Sequence, residues 1–158
     1  MTESAVSAEF FLNSSIKKFV QIGSSIEYGK TKSPQKENQK KFSNTFSYYG
    51  KAKLLSTKLL LKLFKEYKLP VTILRLYLVY GPKQDENRII PITIVNALKN
   101  RNFECSRGTQ FRDFIPISDI LDTVSHLLDL DKNKRNNWLF NVSSGTSVRI
   151  IEKAKLIK

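Results

Sequence analysis

The chain is 158 residues long and contains one cysteine and one histidine. Cys105 alone excludes an intrachain disulfide framework and any multi-cysteine metal site. His126 alone excludes a histidine-rich metal cluster, and any Ser-His-Asp triad would have to use that residue. No apolar run approaches the roughly 20 residues that a bilayer-spanning helix needs. The opening MTESAVSAEF lacks the basic stretch and long apolar core of a secretory signal. Glycine is scarce as well. Gly23, Gly29, Gly50, Gly81, Gly108 and Gly145 are the full set, and no spacing among them makes a phosphate-cradling loop. The expectation is a soluble protein of a reducing compartment, the cytoplasm, with no metal site and no membrane partner.

Arginine is missing from the first 70 residues, which hold thirteen lysines against five acids. Residues 71–158 hold fourteen basic and nine acidic side chains. A net charge of +13 is the kind of footprint a phosphate binder leaves. Here the excess is spread over both halves and carried by twenty lysines. That pattern fits a compositional bias better than a docking stripe, so a nucleic-acid-binding module is a minor alternative.

The patterning alternates strands and helices. Residues 4–16 can form a short amphipathic helix. Phe19 to Gly23 reads as a buried strand. Residues 30–44 are polar, Lys-rich and broken by Pro34, which predicts a solvated loop. Leu54, Leu55, Leu59, Leu60, Leu63 and Phe64 recur at helical spacing within residues 47–68, and Pro70 stops that helix. Val71 to Leu76 is a second buried strand, followed by a turn at Tyr80-Gly81-Pro82. Residues 89–100 predict a helix with Pro91 in its first turn. Residues 103–105 predict a short strand. Ser118 is the expected N-cap of a helix over 119–130. Residues 138–142 predict a last strand, and IIEKAKLIK a last helix. Such alternation implies an α/β fold with parallel strands joined by right-handed crossovers.

One constellation carries chemistry. Tyr49 and Lys53 are four apart at the head of the long helix, which stacks them on one face. Free tyrosine is a poor base at neutral pH, and a neighbouring ammonium stabilises the phenolate. A tyrosine so placed can take a proton from an alcohol and return it to a ketone. Spacing alone is weak in a chain with six tyrosines and twenty lysines. Tyr28 and Lys32 repeat it in a loop where nothing enforces a facing geometry. The context favours Tyr49. Ser24 and Ser25 follow the first strand at its carboxyl end, where open α/β sheets bind ligands.

These stretches resemble a family. FVQIGSSIEYG (19–29), YYGKAK (48–53), VTILRLYLVYGP (71–82), RIIP (88–91), RGTQFRDFIPISDI (107–120) and FNVSSGTSV (140–148) are similar, in order and spacing, to the extended short-chain dehydrogenase/reductases. Within them the likeness is to the NAD-dependent nucleotide-sugar epimerases, dehydratases and ketoreductases. The resemblance implies Ser24 as the catalytic serine, Tyr49 as acid/base, and Lys53 as the lysine that holds the phenolate and the nicotinamide ribose. Leu76 and Tyr77 would line the nicotinamide. Ser25, Arg88 and Ile89 would meet the substrate. Arg112 would clamp the diphosphate, for which a planar guanidinium fork is suited. Cys105 and Ser106 would line the base pocket.

Three departures qualify the likeness. Dehydratases of this family place Asp-Glu after the catalytic threonine, where this chain has Ser25 and Ile26. Isoleucine supplies neither acid nor base, so a 4,6-dehydratase is disfavoured. Leu78 stands where asparagine is common. The Gly-rich strand-loop-helix that opens the family is absent, as is the acid that holds the adenosine ribose.

The resulting expectation is an α/β chain with a partial Rossmann-type doubly wound parallel sheet and part of the small C-terminal substrate-binding subdomain. Residues 1–82 would be the later half of the NAD-binding domain. Residues 83–158 would be mostly substrate-binding, interleaved with returning Rossmann elements. The implied activity is an NAD- or NADP-dependent nucleotide-sugar 4-epimerase or 4-ketoreductase. The alternative is a truncated or split product without activity of its own. The implied partners are a nucleotide sugar and either a second copy, docked through the Tyr/Lys helix, or a complementary N-terminal chain.

Overall fold

A computed structural model describes residues 16–39, 47–130 and 138–157. The helix expected over 4–16 lies outside these residues except for Ile16, as does the end of the Lys-rich stretch beyond Gln39. The described chain divides into two units. The first comprises the described part of Met1–Leu76 and Val124–Val142, the second Tyr77–Thr123 and the described part of Ser143–Lys158.

The first unit is built on a parallel sheet of β1 (Phe19–Ser24), β2 (Val71–Leu76) and β5 (Leu139–Val142), in the order β1-β2-β5. The register pairs Gly23 with Arg75, Ser24 with Leu76, and Leu76 with Val142. Helix α1 (Tyr48–Tyr67) makes the crossover from β1 to β2. Ser47 caps its start by accepting a hydrogen bond from the Gly50 N–H at 3.0 Å. Lys68 ends it in the left-handed conformation, and Pro70 follows. Leu60, Leu63, Leu69, Val71 and Ile73 form the core, with Phe19, Leu61, Phe64 and Leu139 packed against it. The Phe64 and Trp138 rings approach to 4.1 Å. The apolar stripe of α1 is wider than this core, because Leu55 remains 66% and Leu59 42% exposed.

The second unit holds β3 (Leu78–Tyr80), β4 (Phe111–Pro116) and β6 (Ser147–Arg149) in the order β3-β4-β6. β3 and β4 run parallel, while β4 and β6 run antiparallel. Helices α2 (Ile89–Leu98) and α4 (Ile150–Ile157) belong to it. Helix α3 (Ile117–Asp129) is divided between the units at Thr123. Gly108 sits at φ 63°, and a Cβ there would meet the Ile151 nitrogen at 2.9 Å. Only glycine combines that dihedral with that approach.

The α/β alternation and the parallel pairing of 19–24 with 71–76 are as expected. Three details differ. Residues 103–105 form no strand, since the chain from Arg101 to Thr109 is irregular. Helix α3 begins at Ile117, so Ser118 lies inside it and donates to the Asp119 Oδ1 at 3.1 Å instead of capping it. Short strands β3, β4 and β6 were not anticipated, because β3 is only three residues long and β4 and β6 mix polar and apolar residues over six and three positions.

Candidate active site

Chemistry-bearing residues of the first unit gather at the carboxyl ends of β1 and β2. Ser24 is the last residue of β1 and the N-cap of a 3-10 turn, Ser25–Tyr28. Its hydroxyl accepts a long hydrogen bond from the Ile26 N–H at 3.4 Å. Its own N–H donates to Glu27 Oε1 at 2.9 Å. This reciprocal arrangement is a capping box, which satisfies two backbone donors at a helix start. Ser25 is half-buried and Ile26 is exposed in the same turn. Leu76 lies beside Ser24 in the sheet register.

Tyr49 and Lys53 project from the first turns of α1. Tyr49 is 57% exposed, so its phenol is open to a ligand. The Lys53 ammonium lies 5.7 Å from the Tyr49 ring centroid. It donates to the Ile22 carbonyl at 2.8 Å, two residues before Ser24. The helix head is thereby fastened to the strand end that carries the serine. The other Tyr-x-x-x-Lys pair behaves differently. Tyr28 is fully buried in the 3-10 turn, and its hydroxyl donates to Asn141 Oδ1 at 2.8 Å. The loop expectation for Tyr28 is corrected accordingly, since the turn and this bond fix its ring in the core.

Beneath Ser24 lies a buried ion pair. Arg75 Nε donates to Glu27 Oε2 at 2.8 Å, with 1% and 0% of the two side chains exposed. The Arg75 guanidinium also sits 4.5 Å from the Tyr28 ring centroid, within cation–π range. Asn141 completes the network. Its side-chain amide donates to the Gln35 carbonyl at 3.1 Å and its backbone N–H to Glu37 Oε1 at 2.9 Å. Sequence reasoning passed over Glu27, Arg75 and Asn141. A charged residue within the apolar run VTILRL was the available signal, because a buried guanidinium requires a partner.

The remaining candidates belong to the second unit. Tyr77 is half-buried between β2 and β3. Arg88 is exposed at the start of α2, where it is the N-cap without a side-chain bond, and Ile89 is the first helical residue. Cys105 and Ser106 are exposed in the irregular stretch. Arg112 is exposed on β4, and its Nη1 donates to the Phe111 carbonyl at 2.8 Å. The adjacent Asp113 accepts from the Ser144 N–H at 2.7 Å, which ties β4 to the turn before β6. Among the described residues no group of three or more His, Cys, Asp or Glu side chains is placed to hold a metal. None of the described helices is long and apolar enough to cross a membrane.

Comparison with known proteins gives a consistent likeness. A family model described as "NAD dependent epimerase/dehydratase family" matches residues 6–143. A dTDP-D-glucose 4,6-dehydratase from Dictyostelium discoideum is 28% identical over an alignment covering 92% of this chain and 35% of that protein. A crystal structure of UDP-glucuronic acid 4-epimerase from Bacillus cereus, in complex with UDP-glucuronic acid and NAD, superposes with a TM-score of 0.83 at 25% identity. It covers 98% of this chain and 48% of that one. A UDP-N-acetylglucosamine 4-epimerase from Methanobrevibacter ruminantium, in complex with UDP-N-acetylmuramic acid, superposes at 0.79 with 31% identity, covering 97% and 49% of the two chains. The chain thus spans about a third of the first of these and half of the other two.

Proposed function

The chain belongs to the NAD-dependent epimerase/dehydratase family, and on that premise we propose that it carries the proton-transfer site of a nucleotide-sugar 4-epimerase or 4-ketoreductase. The observation that carries this reading is the Lys53 ammonium, bonded to the Ile22 carbonyl and lying 5.7 Å from the Tyr49 ring beside the end of β1. In this reading Tyr49 takes the proton of the sugar C4 hydroxyl at its phenolic oxygen as the alcohol becomes a ketone. It returns that proton when the ketone is reduced. Ser24 holds the same sugar oxygen by a hydrogen bond. Lys53 would hold a ribose hydroxyl of the cofactor and set its ammonium beside the Tyr49 ring.

The cofactor is NAD, which supplies uptake and return of a hydride at sugar C4. The residues fit its nicotinamide end, where an exposed phenol and a tethered ammonium stand at strand ends that favour ligand binding. Leu76 and Tyr77 contribute apolar wall there. For the pyrophosphate end, the sequence holds no Gly-rich loop. The resemblance assigns Arg88, Ile89, Cys105, Ser106 and Arg112 to the nucleotide sugar, with Arg112 for its diphosphate. The first unit is thus read as cofactor-binding and most of the second as substrate-binding. Epimerisation or ketoreduction is favoured over dehydration because Ser25 and Ile26 offer no carboxylate at the turn after Ser24. A second copy of the chain is a candidate partner for exposed Leu55 and Leu59 on α1.

The test is conversion of UDP-, CDP- and dTDP-hexoses, and of their 4-keto forms, with NAD or NADH. Tyr49→Phe should abolish turnover with an unchanged circular dichroism spectrum. Appreciable activity in that variant overturns the assignment. The missing Gly-rich loop favours a second reading, in which the chain is inactive on its own. Micromolar NAD binding by calorimetry would overturn that one.

A further inference from the structure

The buried pair Glu27–Arg75 has no part in the chemistry above, yet it makes contact with that chemistry at one atom. Glu27 divides its carboxylate. Oε2 accepts from Arg75 Nε at 2.8 Å, and Oε1 accepts from the Ser24 N–H at 2.9 Å. Gly23 makes room for this, since a Cβ there would meet Glu27 Oε1 at 2.7 Å. The parallel register sets Arg75 directly across from Gly23, on the neighbouring strand. Sheet register, a missing side chain and two opposite charges therefore converge on the peptide that presents Ser24.

A buried ion pair is an expensive way to stabilise a sheet, and an apolar pair of similar volume commonly serves as well or better. An ion pair adds direction, because the guanidinium fixes the carboxylate plane and the carboxylate fixes one backbone N–H. We propose that Glu27 and Arg75 are positioning residues, which hold the Ser24 peptide so that its hydroxyl faces the reacting sugar oxygen. This rests on the reading of Ser24 as the residue that orients that oxygen. The two charges stay buried, Arg75 on β2 and Glu27 in the turn after β1, and Ser24 transmits their effect.

The decisive variant replaces both charges at once, Glu27→Leu with Arg75→Met, because removing one alone strands the other in the core. A second variant, Glu27→Gln with Arg75→Gln, keeps an acceptor for the Ser24 N–H without charge. Two readouts are used. The first is the Ser24 amide in a 15N-labelled chain. In the apolar double variant it should shift upfield, and its hydrogen exchange should quicken about tenfold or more, the size of one lost bond to a charged acceptor. The amide-bearing double variant should recover part of that protection. An unchanged Ser24 amide in the folded apolar variant overturns the proposal.

The second readout is turnover. The apolar double variant should lower kcat about tenfold with little change in KM. Adding Ser24→Ala to it should cost no more than Ser24→Ala alone, because residues acting through one group are not additive. Losses that multiply, or a fall confined to KM, overturn the proposal. A wild-type chain that converts no nucleotide sugar counts against the catalytic reading of Ser24. The amide readout then still decides whether the pair holds that peptide.

Discussion

The Lys53 ammonium donates to the Ile22 carbonyl at 2.8 Å, and this bond ties the head of α1 to the carboxyl end of β1. A residue expected to act on a ligand is thus also a structural tether. Lys53→Met should abolish turnover. It should also lower unfolding stability by about 1 kcal/mol, the usual net worth of one hydrogen bond. A urea titration of the variant measures that loss. Lys53→Arg should keep most of the stability but little of the activity, since a planar fork does not replace a compact ammonium at both tasks.

Removing one member of the buried pair should be costly. Arg75→Ala leaves the Glu27 carboxylate without its guanidinium in a site with 0% exposure. A loss of about 3–5 kcal/mol is expected from an uncompensated buried charge. Chemical denaturation read by Trp138 fluorescence gives the value, and a loss under 1 kcal/mol would contradict the buried assignment.

Gly23→Ala tests the same place without altering any charge. The added methyl would fall 2.7 Å from Glu27 Oε1 and 3.3 Å from the Leu74 carbonyl. Overpacking of this kind costs about 1–3 kcal/mol. The expected signature is a lower Tm together with a quickened Ser24 amide.

Thr57 offers a prediction of opposite sign. It is 1% exposed on the inner side of α1, and its hydroxyl has no hydrogen-bond partner among the described residues. Thr57→Val keeps the branched shape and removes a buried unpaired polar group. Stability should rise by about 1 kcal/mol, within the range set by desolvating such a group.

In the second unit, Gly108→Ala combines a left-handed dihedral with a close approach to the backbone of Ile151. A loss of about 1–3 kcal/mol is expected. A urea titration of this variant measures that loss.

The elements that the sequence announced clearly are those with long, one-sided patterns. Helix α1 shows six apolar residues at helical spacing with Pro70 behind it, and its observed bounds fall within one residue of those expected. Strand β2 is a six-residue run that opens on three β-branched residues, and its observed bounds are those expected. Motif order, not spacing, singled out Tyr49, Lys53 and Ser24, and the structure sets Lys53 beside Tyr49 and bonds it to the strand that ends in Ser24. Residues 103–105 misled because three residues are too few for a period to show. Tyr28 was assigned to a loop because Gly29 follows it and Pro34 comes soon after. Its burial depends on Asn141, 113 residues away, and no local pattern can encode that bond. The same holds for Glu27 and Arg75, which are 48 residues apart.

Asn141 bonds Tyr28, Gln35 and Glu37, all more than a hundred positions earlier in the chain. Between them runs the whole stretch Tyr77–Thr123 of the other unit. During synthesis, β1 and β2 therefore emerge long before the strand that closes their polar network. The ring of Tyr28 and the amide of Asn141 can meet only after that intervening stretch has left the ribosome. Contacts of such sequence separation are slow to form, because loop closure must be met before the contact repays it. Closure of the polar network by Asn141 is thus expected after the local bonds of the Ser24 turn, set by a strand far downstream of the serine itself.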